Sequence, residues 1–408
     1  MSLRVVDFST HLSGPLATHL LTELGATVIK VENPRTGDGN RAIFDVGDGM
    51  GLFHLALNSG TRSLAIDRRS PQWPEVVAAA ARWADAVVVG ARPVDARRRG
   101  MDFDAMKAHN PRLVYAALSG FGDHGPWRDL TAHGQTMDGY AGLVPIVEGD
   151  VQPVTAPGWR TAGTTLGGVF AAMGILAAIH RRDQGFAHAQ YVGVSIWQSA
   201  MWWSWRDLTQ LANTGERWLD YSDLGSRYSL YRTKDGKVAL CAASERRFWE
   251  PFVDLVGLPA EWKAVGDWSG SGMDHGAGEA YAHERPAIAA GIARRTLDEW
   301  AAIFAEAEVP FAPILSLEEA MAAEHSQVNG VMRETTTHDG RTYRLPASPI
   351  KLATDDTTNP QPDPLSPPPA IGEHTEQLLD ELGVSGNAGP GGQVPLRVFA
   401  QEAKPAAG

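Results

Sequence analysis

The sequence predicts an α/β protein: a Rossmann-like large domain carrying a smaller α+β domain. Three observations predict it. Apolar strand-like runs alternate with helical runs through the first 125 residues. A strand-and-turn texture of another kind begins near residue 225. And 408 residues exceed what one ordinary core organises, so two domains are expected.

Taken in order, "LRVVDFS" has the continuous apolar character of a buried strand, "GPLATHLLTELGA" repeats its apolar residues at helical spacing, and "TVIKVEN" is a second strand. Strand, helix and strand within about 30 residues form a βαβ unit, which implies parallel pairing and a right-handed crossover. The pattern recurs as "RSLAIDRRS", "WPEVVAAAARWA" and "DAVVVGAR", then as "FDAMKAHNP" and "RLVYAALSGFG". Residues 161–182 form a small-residue-rich helix, expected in a core rather than a bilayer because its glycines and threonines dilute the apolar run. "WQSAMWWSWRDL" places Trp197, Trp202, Trp203 and Trp205 on one expected helix, of the kind that fills cores and interfaces. From 225, "SRYSLYRTKDGKVALCAAS" is a hairpin turning at "KDGK", followed by helices at "ERRFWEPFVDLVGL" and "TLDEWAAIFAEAE". Residues 268–285 are expected to be a mobile surface loop, and the proline-rich tail carries one short helix at "HTEQLLDELG".

A formal net charge of −12 argues against a nucleic-acid surface. Cys241 is the only cysteine and lies in an apolar strand, so no intrachain disulfide forms and the thiol is expected in the core. With no signal peptide at "MSLRVVDFS" and no spanning segment, a cytoplasmic protein without membrane partners is expected. The first strand–helix turn, "STHLSGPLAT", holds one glycine followed by proline. It therefore lacks the G-x-G-x-x-G that cradles a dinucleotide, and no P-loop occurs elsewhere. The thirteen histidines are scattered. His11 and His19 are too far apart to pair, so no metal site is expected.

Several stretches together resemble the family III CoA-transferases, the group of formyl-CoA transferase, carnitine CoA-transferase and α-methylacyl-CoA racemase. They are "LRVVDFSTHLSGPLATHLLTELGATVIKVENPRTGDGNR", "NSGTRSLAID", "NPRLVYAALSGFGDHGPW", "EVPFAPILSLEEAMA", "ASPIKLA" and "PPPAIGEHTEQLLDELG", in the family's order along nearly the whole chain. The resemblance implies a large Rossmann-like domain from 1–200 and again from 326–384, a linker helix region at 201–224, a small domain at 225–325 and a disordered tail at 385–408. It also implies an interlocked homodimer, coenzyme A or an acyl-CoA as substrate rather than a permanently bound cofactor, and a carboxylic acid as the second substrate. CoA carries phosphates that call for arginines on loops, and Arg41, Arg62 and Arg98 stand where the family places its CoA contacts.

The segment "GFGDHGPWRDLTAHGQTMDGYAGL", residues 120–143, departs from the family. The transferases carry there an aspartate that attacks the thioester and becomes a mixed anhydride, then an aspartyl-CoA thioester. That position falls at Gly134, beside a retained His133, and two further commonly acidic positions are Gly163 and Gly193. Asp138, one helical turn on, is either a displaced nucleophile or a first-turn helix acid. Glu245 is either the acid–base partner of His133 or a helix N-terminal acid. Three functions follow: CoA transfer between carboxylic acids, α-epimerisation of an acyl-CoA through His133 and Glu245, or a catalytically silent subunit paired with an aspartate-bearing paralogue.

Overall fold

The computed structural model describes residues 2–46, 50–146, 160–216, 224–352 and 365–384. The expectation of a disordered tail at 385–408 lies outside them. The chain divides into two compact units, Met1–Trp203 with Arg333–Gly408, and Ser204–Met332.

The first unit is built on six parallel strands: β1 (Arg4–Asp7), β2 (Thr27–Glu32), β3 (Arg62–Ala65), β4 (Ala86–Gly90), β5 (Val114–Ser119) and β6 (Gln190–Ser195). They lie in the order β3-β2-β1-β4-β5-β6, the doubly wound arrangement, with the direction of winding reversing between β1 and β4. Val5 is in register with Val28 and Ala86, and Val6 with Ile29 and Val87. Because successive strand residues face opposite ways, this one register feeds two cores. Val6, Ile29, Val87 and Tyr115 pack with Trp73, Val76 and Val77 of the helix Trp73–Trp83. Val5, Val28, Val88 and Ala116 pack with Ala17 and Leu21 of α1 (Ser13–Glu23), and with Ala171 and Ile175 of the helix Gly163–Asp183.

Among the described residues Gly163–Asp183 is the one helix long and apolar enough to cross a membrane. Its small residues have another use here: a Cβ on Gly168 would lie 2.8 Å from the carbonyl of Ser13, so glycine permits close contact with α1. The tryptophan-rich stretch is two helices, Ile196–Trp203 and Trp205–Thr214, broken at Ser204 where the units divide. Trp202, Trp203 and Trp205 are all exposed.

The second unit has the antiparallel strands Tyr228–Arg232, Val238–Ala242 and Phe311–Pro313, the first two joined across Thr233–Lys237. Cys241 is fully buried there, and burial pushes its thiol up to about 12. The helices Arg246–Val256, Glu284–Ile292 and Leu297–Glu306 cover this sheet through Trp249, Phe252, Trp300 and Phe304. Residues 268–285, expected to be a mobile loop, are instead fastened from both ends. The carboxylate of Asp274 accepts from Tyr281 and the backbone of Asp267, and Ser226 donates to the Gly276 carbonyl and to Glu284. What they enclose is Arg227, fully buried over the Trp249 ring at 4.1 Å and paired with the buried Glu284.

Candidate active site

A cavity of about 480 Å³ opens at the carboxyl edge of the six-stranded sheet, where the loops after β1, β4 and β5 converge with the segment 131–137. This is the switch point, where neighbouring crossovers depart to opposite faces and leave a crevice. His11, His133 and Gly134 line it, with Arg92, Asp95 and Thr164. A second cavity of about 380 Å³, sharing Ala91 and Ser119 with the first, contains Gly193, Arg97 and the stacked rings of Tyr115 and Tyr191.

Loop 120–143 is held by aromatic edge contacts: Trp127 meets Trp197 at 5.5 Å and Tyr140 at 4.9 Å, and Phe121 meets Tyr140 at 5.0 Å. Trp127 itself is 38% exposed and lies at the surface of the cluster. Held this way, the loop carries His133 to the cavity, where its ring stands edge-on to that of His11 with centroids 6.3 Å apart.

The wall opposite rests on buried charge. Lys30 reaches Asp7 at 3.0 Å and Asp38 at 2.7 Å, all three side chains being buried. Burial alone would raise Asp38, but the Lys30 charge and the backbone N–H groups of Asn40 and His11 outweigh it and hold the carboxyl at about 2. Asp38 accepts from Thr10 and from the His11 amide, each at 2.9 Å, which fixes the turn after β1.

Asp138 does not line the cavity. It is 1% exposed, and its Oδ1 accepts the Gly163 N–H at 2.9 Å, at the start of the helix Gly163–Asp183. Its Oδ1 lies at a helix N-terminus, where the dipole favours negative charge, and its Oδ2 is buried without a hydrogen-bond partner among the described residues. Gly163 is the donor of that bond. Glu245 stands in the second unit at the entrance to the helix Arg246–Val256, with its carboxylate 2.8 Å from Arg247.

The arginines divide. Arg41 is buried, its guanidinium doubly bonded to Glu32 at 2.9 and 2.8 Å and donating to the Pro369 carbonyl, so it joins two parts of the fold. Arg62 forms a two-point pair with Glu381 at 2.7 and 3.2 Å, tying β3 to the C-terminal helix Thr375–Leu382. Arg98 is exposed and shares Asp95, which lines the cavity, with Arg92, at 2.5 and 2.7 Å. No sequence signal marked Arg68, an exposed residue just beyond β3 whose pKa is lowered first by partial desolvation and second by the Arg99 charge. Two like charges kept close are an arrangement that an anion relieves. Among the described residues, no group of three or more His, Cys, Asp or Glu side chains could hold a metal ion.

A doubly wound sheet with two imidazoles and an arginine lining the crevice at its switch point defines an α/β protein with its cavity where such folds bind ligands. The chain belongs to CoA-transferase family III, a family of enzymes, whose description matches residues 2–375. It is 28% identical to a succinate–glutarate CoA-transferase of Agrobacterium fabrum, covering 93% of this chain and 94% of the relative. It is 26% identical to the α-methylacyl-CoA racemase of Homo sapiens, covering 94% and 93% respectively. A formyl-CoA:oxalate CoA-transferase of Afipia carboxidovorans is 27% identical, with 93% and 92% covered. The crystal structure of a CAIB/BAIF family protein from Brucella suis shares the fold, with a TM-score of 0.73 at 22% identity over 93% of this chain and 98% of that one.

Proposed function

We propose that the chain transfers CoA from an acyl-CoA thioester to a free carboxylic acid, with both substrates in the switch-point cavity at once. One observation carries this reading: among the described residues lining the cavity the sole carboxylate is Asp95, which Arg92 and Arg98 hold. An anhydride on the protein needs a free side-chain carboxylate, and Gly134 supplies none.

The acceptor acid can do that work itself. Its carboxylate oxygen attacks the thioester carbon; a C–O bond forms, the C–S bond breaks, and the electron pair stays on the CoA sulfur. The thiolate then attacks the other carbonyl of the mixed anhydride. A C–S bond forms, and the donor acid leaves as its carboxylate with the C–O pair. No net proton, oxidant or reductant is required. The CoA phosphates are assigned to Arg68, Arg98 and Arg99 at the β3 and β4 ends, where Arg68 and Arg99 have like charge to offer. Arg41, engaged with Glu32, is left out of this set.

The test is steady-state kinetics of the purified full chain with formyl-CoA, acetyl-CoA or succinyl-CoA and ¹³C-labelled short-chain acids, reading labelled thioester by mass spectrometry. Intersecting double-reciprocal lines and no hydroxylamine-sensitive adduct on the protein are expected. An acyl or CoA adduct trapped on a side chain would refute the direct route.

A second reading, proton exchange at the α-carbon of an acyl-CoA, is favoured by two imidazoles in one cavity. Deuterium wash-in without CoA transfer would select it. Gly134 also motivates the silent subunit of a heteromer, which turnover by the isolated chain eliminates. The interlocked dimer is retained in this proposal, with exposed Trp202 and Trp203 as contacts for a second copy.

A further inference from the structure

His11 is held in a left-handed backbone conformation. Its φ of 70° makes it one of three non-glycine residues with positive φ among the described residues. A left-handed backbone costs about 1–2 kcal/mol for a residue with a Cβ, so something must over-determine it. Asp38 accepts its amide, the side-chain amide of Asn40 donates to its carbonyl, and the buried Lys30 ion pair fixes Asp38 in turn. The imidazole lies over Gly39, where a Cβ would come within 2.4 Å of Nε2, so a side chain there would displace the ring. Yet the ring is exposed and fills no core. What the clamp achieves is to present an imidazole to the cavity, edge-on to His133.

Gly134, the neighbour of His133, lines the same cavity with a φ of 53°, and an added Cβ would find no atom within 4 Å. Two imidazoles, each carrying an N–H donor in either protonation state, therefore line the same cavity as a Gly134 whose Cβ position no atom of the described residues approaches within 4 Å. The charged lining, Arg92 against an Asp95 that Arg98 also neutralises, favours an anion there.

We propose that His11 and His133 hold the free carboxylate of the acceptor acid, in the space that Gly134 leaves open. This rests on the CoA-transfer reading above and adds the seat of its second substrate. It gives His11 a positioning role with a signature in KM for the acid rather than in affinity for CoA.

The experiment titrates the full chain, with and without saturating free CoA, with sodium acetate, oxalate, succinate and glutarate. It follows heat by calorimetry and the imidazole ¹⁵N resonances by NMR. Saturable binding of at least one acid is expected, with both His11 and His133 resonances moving. His11→Asn, which keeps a residue tolerant of the left-handed backbone, should weaken that binding at least tenfold, and so should His133→Gln. Gly134→Asp, which sets a like charge in the seat, should abolish it. In the two histidine variants CoA affinity and melting temperature should match the parent chain; Gly134→Asp should keep CoA affinity but melt lower, because its backbone sits at a φ of 53°. Undiminished acid binding by His11→Asn, or no acid bound while CoA binds, overturns the proposal. Failure of CoA itself to bind would fall on the transfer reading instead, and the titrations without CoA would still read the seat.

Discussion

Replacing Asp138 separates a helix cap from a reacting group. Its carboxylate is 1% exposed and accepts the Gly163 N–H at 2.9 Å, at the first residue of a 21-residue helix. Asp138→Ala orphans that buried donor, at about 1–3 kcal/mol. It also removes a negative charge from the helix N-terminus, worth about 0.3–1 kcal/mol in exposed cases and up to about 2 when buried. The two together amount to about 3 kcal/mol. Asp138→Asn keeps an acceptor oxygen for Gly163 and exchanges the charged, unpartnered Oδ2 for a neutral amide, about 1 kcal/mol. At roughly 2 °C per kcal/mol for a unit of this size, melting should fall by about 6 °C for Ala and about 2 °C for Asn. Thermal unfolding followed by circular dichroism reads the shift, and turnover of the folded variants reads the chemistry; Asn should retain most of it. Two results would refute this assignment. One is an Ala variant that melts with the parent chain. The other is an Asn variant equally stable but a hundredfold slower, which would return Asp138 to the reacting groups.

The remaining predictions concern charge. His19 is lowered to about 4 by burial and then by Arg333, and His54 to about 3 by burial and then by Arg41. Both are neutral when folded and take up protons on unfolding, so their stabilisation is full above the unfolded value near 6.5 and is lost as pH falls toward those values, about 3 kcal/mol for His19 alone. Urea titrations at pH 7, 5.5 and 4 should show the decline and His54→Gln should flatten it; parallel curves would contradict the sign. Glu284→Ala leaves Arg227 in the core of the second unit with the more distant Asp274, 3.7 Å away, and should cost about 3 kcal/mol there, read as an earlier transition in calorimetry. Loss of less than about 1 kcal/mol would show that Arg227 finds another partner. Arg68→Ala or Arg99→Ala should weaken CoA binding roughly tenfold to hundredfold, since hydrogen bonds to charged groups are worth about 1.5–3 kcal/mol, without destabilising the free protein. Unchanged CoA affinity in calorimetry would remove these two from the phosphate site.

What the sequence makes legible follows from sequence distance. The strands of the large sheet announce themselves because a parallel strand covered on both faces is mainly apolar, and the β-branched residues of "RVVD", "TVIKVE" and "AVVVG" supply this, Asp7 and Lys30 being buried only as an ion pair. The turn at 233–237 is equally local. Charges are different, because an arginine's role depends on which carboxylate the topology brings to it. Arg41 and Arg98 look alike as loop arginines in an acidic chain. One lies in the loop after β2 beside the buried Glu32, and the other ends a surface helix and pairs with Asp95. Arg62 finds Glu381 only because the C-terminal helix returns to β3, 319 residues later. His11 illustrates the same limit at the site itself. Its scattered position among the histidines gives no hint of function, since the signal is a backbone angle enforced by Asp38 and Lys30, neither adjacent in sequence. Gly134 is the converse: the absent carboxylate is visible in the sequence, but whether the gap is filled is not. Asp138 is the nearest acid along the chain, yet the helix spacing that puts it one turn on also turns it inward to Gly163. A position left open, with two ring edges bordering it, is then better explained as room for a substrate's carboxylate than as a residue waiting for a substitute.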